Sequence, residues 1–164
     1  MRLRAETAEQ TRALGARLSR LLRPGDVVVL SGDLGAGKTT FTQGLGAALG
    51  VRGEVTSPTF VISRVHPSLV GGPALVHVDA YRLGGVAELD DLDLDASLED
   101  AVTVVEWGSG VAEGLAEDRL EIEILRPHGD AADDDAGARS VRITGVGARW
   151  AGVDLAGLTQ IGPD

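Results

Sequence analysis

The stretch Gly32-Asp33-Leu34-Gly35-Ala36-Gly37-Lys38-Thr39 constrains this chain more than any other. Written G-x-x-x-x-G-K-T, it is the pattern of a phosphate-binding loop. Its glycines let the backbone curl so that successive N–H groups point inward at phosphate oxygens. Lys38 supplies a point charge toward the β- and γ-phosphates, and the Thr39 hydroxyl suits a Mg²⁺ ligand. A helix starting at this point adds the positive end of its dipole and its unpaired N–H groups. The flanks have the order this chemistry requires. Asp26-Val27-Val28-Val29-Leu30-Ser31 reads as a buried parallel strand. Phe41, Leu45, Ala48 and Leu49 recur at helical spacing, and Gly50 suits a helix stop.

Lys38 is the only lysine in the chain; every other basic side chain except the three histidines is arginine. The composition, rich in Ala, Gly, Arg and Asp, replaces lysine wherever arginine will serve. The survivor sits where a compact ammonium on a slim stem is needed and a planar guanidinium would crowd the phosphate nest.

The length of 164 residues fits one domain, 1–164, with its core in about 5–145. Few aromatics leave Val, Leu, Ile and Ala to fill that core. No apolar run approaches the roughly 20 residues of a membrane span. The opening Met1-Arg2-Leu3-Arg4-Ala5-Glu6 lacks the apolar region of a signal peptide. With no cysteine there is neither a disulfide framework nor a cysteine-based metal site. Cysteine absence alone does not fix the compartment, but the missing signal region and the need for ATP favour a cytoplasmic protein with no membrane contact. The net charge of −10 argues against direct grip on a polynucleotide, which usually requires a basic face. Arg2, Arg4, Arg12, Arg17, Arg20 and Arg23 do gather near the N-terminus, where a helix would carry them as a solvated outer face.

Thr7 and Gln10 fit a capping box, and Leu14, Leu18, Leu21 and Leu22 line one face of a helix ending near Pro24-Gly25. Beyond the phosphate loop, a strand is expected over Phe60 to Val65. The Gly71-Gly72-Pro73 turn and a strand over Ala74 to Val78, ended by Asp79, follow. These two strands can pair as a hairpin. The acidic segment Tyr81 to about Asp100 fits one or two short helices. Ala101 to Val105 is a buried central strand, ended by Glu106. Leu120 to Leu125 and Val141 to Thr144 alternate as half-exposed strands. Residues 127–138 are expected to form a mobile loop. The tail 146–164 is weakly defined, with Trp150, Leu155 and Leu158 as anchors. The sum is an α/β domain with a mixed, mostly parallel sheet flanked by helices and carrying an antiparallel part.

A phosphate-loop protein needs an acid at the end of a neighbouring strand to hold Mg²⁺ or its water. Asp79 and Glu106 both end strands, and ligands of open α/β sheets bind at those carboxyl ends. Glu106 has the stronger claim, because its strand is central. His77 shares a strand face with Asp79 and reads as a ligand, a base or a hydrogen-bonded core histidine. Arg82 suits a phosphate or an acid partner. Trp107 lines the nucleotide pocket or packs in the core. Asp91-Leu92-Asp93-Leu94-Asp95 imitates the opening of a calcium loop but has Ala96 where glycine is needed and Val102 where the bidentate glutamate belongs. It reads as a solvated acidic face or a partner surface.

Four blocks occur in order: Gly32 to Phe41, Ser57-Pro58-Thr59-Phe60, His77-Val78-Asp79-Ala80-Tyr81-Arg82 and Glu106-Trp107. Together, over roughly residues 5 to 145, they resemble the bacterial TsaE family, the small ATPase of tRNA threonylcarbamoyladenosine synthesis. The resemblance implies a P-loop NTPase fold that binds ATP with Mg²⁺ and hydrolyses it slowly alone. It implies work with the TsaB and TsaD proteins, which modify adenosine 37 of tRNAs reading codons that start with A, so that tRNA is met only through the complex. By motif, Asp33, Leu34, Gly35, Ala36, Gly37, Lys38, Thr39, Thr40 and Trp107 would bind ATP. Thr39 and Glu106 would hold Mg²⁺, with Lys38, Asp79 and Glu106 serving hydrolysis. Asp79 would act on the water or in the metal shell. Ser57, Pro58, Thr59 and Phe60 would form a switch near the γ-phosphate.

Two other readings compete. A small P-loop kinase would need an acceptor pocket and an arginine-bearing lid; Arg64 and Arg82 are available, but no clustered-arginine segment stands out. A nucleotide-gated binding module would bind ATP without hydrolysing it. A GTPase is disfavoured because guanine recognition by N-K-x-D needs a second lysine.

Overall fold

The computed structural model of the protein describes residues 2–32, 37–51, 63–79, 100–106, 118–125 and 139–159. Expectations for Asp33 to Ala36, Ser57 to Phe60, the acidic segment 81–99 with Arg82, Trp107 and the loop 127–138 lie outside the described residues.

The first helix, α1, spans Ala8–Ser19. Thr7 caps it in an extended conformation, its hydroxyl accepting the Gln10 N–H at 3.1 Å. The Gln10 side chain reaches back to the Glu6 N–H at 2.6 Å, one residue before the donor a capping box usually satisfies. The helix stops earlier than the leucine pattern suggests. The N–H groups of Arg20, Leu21 and Leu22 bond three residues back, to Arg17, Leu18 and Ser19. That tighter winding turns the chain before Pro24 is reached.

Seven strands form one sheet: β1 Arg2–Ala5, β2 Val27–Gly32, β3 Ser63–His66, β4 Ala74–Asp79, β5 Ala101–Glu106, β6 Arg119–Leu125 and β7 Arg139–Val146. Their order is β1-β7-β6-β2-β5-β4-β3. The four central strands, β6, β2, β5 and β4, are parallel, and both edges are antiparallel. The β3–β4 hairpin accounts for one edge, as the sequence suggests. The other edge enlarges the antiparallel share, because β7 returns beside β6 and β1 adds to β7. Strand β1 has no counterpart in the sequence reading, being only four residues long. It moves Arg2 and Arg4 from the expected helical face to the sheet edge, where they are exposed.

The second helix, α2, spans Lys38–Leu49 and ends at Gly50, whose φ of 74° closes the last turn. Register places Leu75, Val102, Val104, Val28, Leu30, Leu120, Ile122, Ile124, Ile143 and Val141 on one sheet face. They form one buried cluster with Leu14 and Leu18 of α1 and Phe41 and Leu45 of α2. Both helices therefore cover the same face. They approach closely because each presents a glycine to the other: a side chain at Gly15 would overlap Phe41, and one at Gly44 would overlap Arg12.

The tail is held as its apolar residues suggest. Trp150 and Leu158 are buried in the core, and Leu155 packs partly against it. Arg149 lies over the Trp150 ring, with 4.2 Å from guanidinium to centroid, and forks onto both carboxylate oxygens of buried Asp26 at 3.0 and 2.9 Å. It also donates to the Leu21 carbonyl, so one side chain ties the tail to the end of the α1 segment and the start of β2. No helix among the described residues is long and apolar enough to cross a membrane.

Candidate nucleotide site

Because β2, β5 and β4 run parallel, their carboxyl ends share one edge of the sheet. Leu30 stands opposite Glu106, and Glu106 opposite Asp79. Thus the residue that opens the phosphate loop, Gly32, and both acids singled out from sequence arrive at one edge on adjacent strands, about 4.8 Å apart from strand to strand.

The loop leaves β2 at Gly32 with φ 148° and enters α2 at Gly37 with φ 109°, conformations that favour glycine at both ends of the motif. Lys38 folds back across the loop, its ammonium donating to the Gly32 carbonyl at 2.9 Å. The first bond of α2 runs from the Phe41 N–H to the Gly37 carbonyl. The N–H groups of Lys38, Thr39 and Thr40 precede it, in the first turn of the helix. Gly37 has no side chain with which to cap them. An uncapped, glycine-led N-terminus carrying Lys38 has the donors and the charge for a phosphate group. Thr42 braces this turn from within, donating to the Lys38 carbonyl at 2.8 Å.

Glu106 is 6% exposed, and His77 on β4 is fully buried beside it. His77 pairs with Val104 in the β4–β5 ladder, so Glu106, two residues on, lies on the same face. The His77 Nε2 is 3.0 Å from Glu106 Oε1. The two atoms are close but not aligned, and neither makes a directed hydrogen bond. A buried carboxylate at this strand end, next to a phosphate loop, suits a hard cation that takes oxygen ligands. Among the described residues no three His, Asp or Glu side chains converge as a metal cage. Mg²⁺ does not require one, since it is usually held by one or two carboxylates together with substrate phosphates and water. The Thr39 hydroxyl and Glu106 therefore fit it.

Two residues near the loop were not marked by any motif. Thr11 of α1 and Arg139 at the start of β7 flank Gly37, with Thr11 Cγ2 and Arg139 Nε 3.7 and 3.9 Å from where its Cβ would lie. Arg139 is about a hundred residues from the loop in sequence; the pairing of β7 with β6 and β1 brings it there.

Strand β2, the glycine loop, α2 and an acid on the adjacent parallel strand define a P-loop NTPase-like α/β fold. The comparisons agree and go further. Residues 5–133 match the sequence model of TsaE, the threonylcarbamoyl adenosine biosynthesis protein. The tRNA threonylcarbamoyladenosine biosynthesis protein TsaE of Streptomyces coelicolor is 64% identical over 148 residues, covering 90% of this chain and 98% of that protein. Its Bacillus subtilis namesake is 39% identical over 151 residues, covering 92% and 89%. The crystal structure of Bacillus subtilis YdiB superposes with a TM-score of 0.71 at 34% identity, over 92% of this chain and 88% of that one. The chain belongs to the TsaE family.

Proposed function

We propose that this protein is a Mg²⁺-dependent ATPase that supports threonylcarbamoylation of adenosine 37 in tRNAs reading codons that start with A, acting on a complex of TsaB and TsaD. Family membership supports the pathway. The observation that carries the ATPase reading is the placement of buried Glu106 at the end of β5, in register with the strand that feeds the phosphate loop.

In this reading the N–H groups at the start of α2 and the Lys38 ammonium bind phosphate oxygens, the latter exchanging its bond to Gly32. Thr39 and Glu106 hold Mg²⁺, which supplies charge neutralisation at the β- and γ-phosphates. Asp79, opposite Glu106 in register, orients water or completes the metal shell. Asp33 to Ala36, Thr40 and Trp107 complete the nucleotide contacts, and Ser57 to Phe60 serve as the switch that relays nucleotide state to the partners.

The charge of −10 supports contact with tRNA only through the complex. The test is ATP hydrolysis by the purified protein with and without purified TsaB–TsaD, beside a tRNA gel shift at physiological salt. Slow turnover alone, acceleration by TsaB–TsaD and no specific shift are expected. ATP binding without turnover in either condition would favour a nucleotide-gated binding module instead. Submicromolar tRNA binding by the isolated chain would refute the division of labour.

A further inference from the structure

His77 is a buried polar side chain that the ATPase reading leaves without a task. Every other residue of β4, β5 and β2 that register places on its sheet face and that belongs to the buried cluster is Leu or Val: Leu75, Val102, Val104, Val28 and Leu30. An aliphatic residue at position 77 would continue that pattern. An imidazole there instead has both ring nitrogens buried and without an aligned partner. Leaving buried polar atoms in that state is destabilising, so packing alone does not account for the histidine. Its Nε2 lies 3.0 Å from Glu106 Oε1 and is thereby within hydrogen-bond reach of the carboxylate.

We propose that His77 is a positioning residue for Glu106. In the tautomer protonated at Nε2, the ring donates to Oε1 after a small rotation of either group. Holding one carboxylate oxygen fixes the plane of the other, and with it the direction in which Glu106 meets the metal shell. This rests on the ATPase reading for the purpose of the device, although the pairing itself does not. The design follows a general pattern in which carboxylates that bind metals are held by hydrogen bonds from behind, and loss of such a partner typically weakens metal binding about 10–100-fold. His77 itself touches neither metal nor nucleotide in this scheme.

Three measurements test it. In the nucleotide-free protein, ¹⁵N NMR of His77 should show the Nε2–H tautomer; the Nδ1–H tautomer would overturn the pairing whatever the enzyme does. With a non-hydrolysable ATP analogue bound, Mn²⁺ affinity by electron paramagnetic resonance should fall about tenfold or more in His77→Leu. His77→Gln, which retains an N–H donor at similar reach, should recover most of it. Metal-free analogue affinity should be unchanged in both variants. Wild-type-like Mn²⁺ affinity in a folded His77→Leu variant would overturn the role of His77 alone. Failure of the wild type to bind analogue and Mn²⁺ would overturn the ATPase reading beneath it.

Discussion

Replacing Gly44 with alanine tests whether the close contact of α1 and α2 is required. In a solvent-exposed helix interior this change is stabilising by about 1 kcal/mol, since alanine is the better helix former. Here the new Cβ would overlap the Arg12 carbonyl oxygen and lie 2.7 Å from its carbon. Carbon atoms pack at about 3.5–4.0 Å, so the helices must part by about 0.8 Å or more. The obstacle is backbone, which cannot swing aside as a side-chain tip would. Overpacking of this kind costs about 1–3 kcal/mol, and a backbone clash belongs at the upper end. Offsetting the propensity gain leaves a loss of about 2 kcal/mol, or about 4–8 °C in Tm for a chain of this size. Gly15→Ala should behave alike, because its Cβ would overlap the Phe41 carbonyl oxygen and lie 2.9 Å from the Leu45 nitrogen. The double variant should lose less than the two losses combined, since one separation makes room for both methyl groups. Gly152→Ala is the control: nothing lies within 4 Å of its would-be Cβ, and a change within about 0.5 kcal/mol is expected. Urea unfolding of the four variants decides the matter. An unchanged or raised midpoint for Gly44→Ala, or full additivity in the double variant, would refute the reasoning.

Other sites give further tests. Lys38→Ala should abolish or strongly weaken ATP binding with the fold intact, and Lys38→Arg should fail as well, because a guanidinium fork fits the nest poorly; full activity of the arginine variant, measured by nucleotide titration and turnover, would sink that argument. Glu106→Gln should reduce Mg²⁺-dependent turnover far more than ATP affinity, since the phosphate contacts survive; equal turnover would reassign the metal to Asp79. Arg149→Met should cost about 2–3 kcal/mol in urea unfolding by leaving the buried Asp26 carboxylate with only its bond from the Arg23 N–H, and a loss below about 0.5 kcal/mol would show that the tail is held by Trp150 and Leu158 alone.

The parts of the fold that were readable from sequence are those whose signal is local. The phosphate loop announces its own strand and helix, because only one backbone order serves it. Gly37 and Gly50 then mark where α2 starts and stops. Strands β4 and β5 read correctly because each is a mostly apolar run ended by an acid, and β6 because it alternates. What escaped was set by partners distant in sequence. β1 is too short to carry a pattern and exists because β7 offers it an edge. The Asp26–Arg149 fork joins residues 123 positions apart, and neither end looks unusual alone.

The candidate site divides along the same line, and the division bears on how it works. Lys38, Thr39, Glu106 and Asp79 could be named because each belongs to a motif or a strand end. Their meeting depends on β5 entering the sheet between β2 and β4, after the chain has gone out to the β3–β4 hairpin and returned. His77 was legible as a residue but not as a partner: sequence allowed ligand, base or core histidine, and only the β4–β5 register places it diagonal to Glu106. Glu106 therefore stands between the strand that opens the phosphate loop and the strand that carries His77. If Glu106 holds the metal as proposed, a change in how β4 seats against β5 would reach its carboxylate through the imidazole without disturbing Lys38 or the start of α2. The proposed phosphate-binding and metal-orienting groups thus stand on different strands, and mutations in β4 should separate the two functions where mutations in the loop cannot.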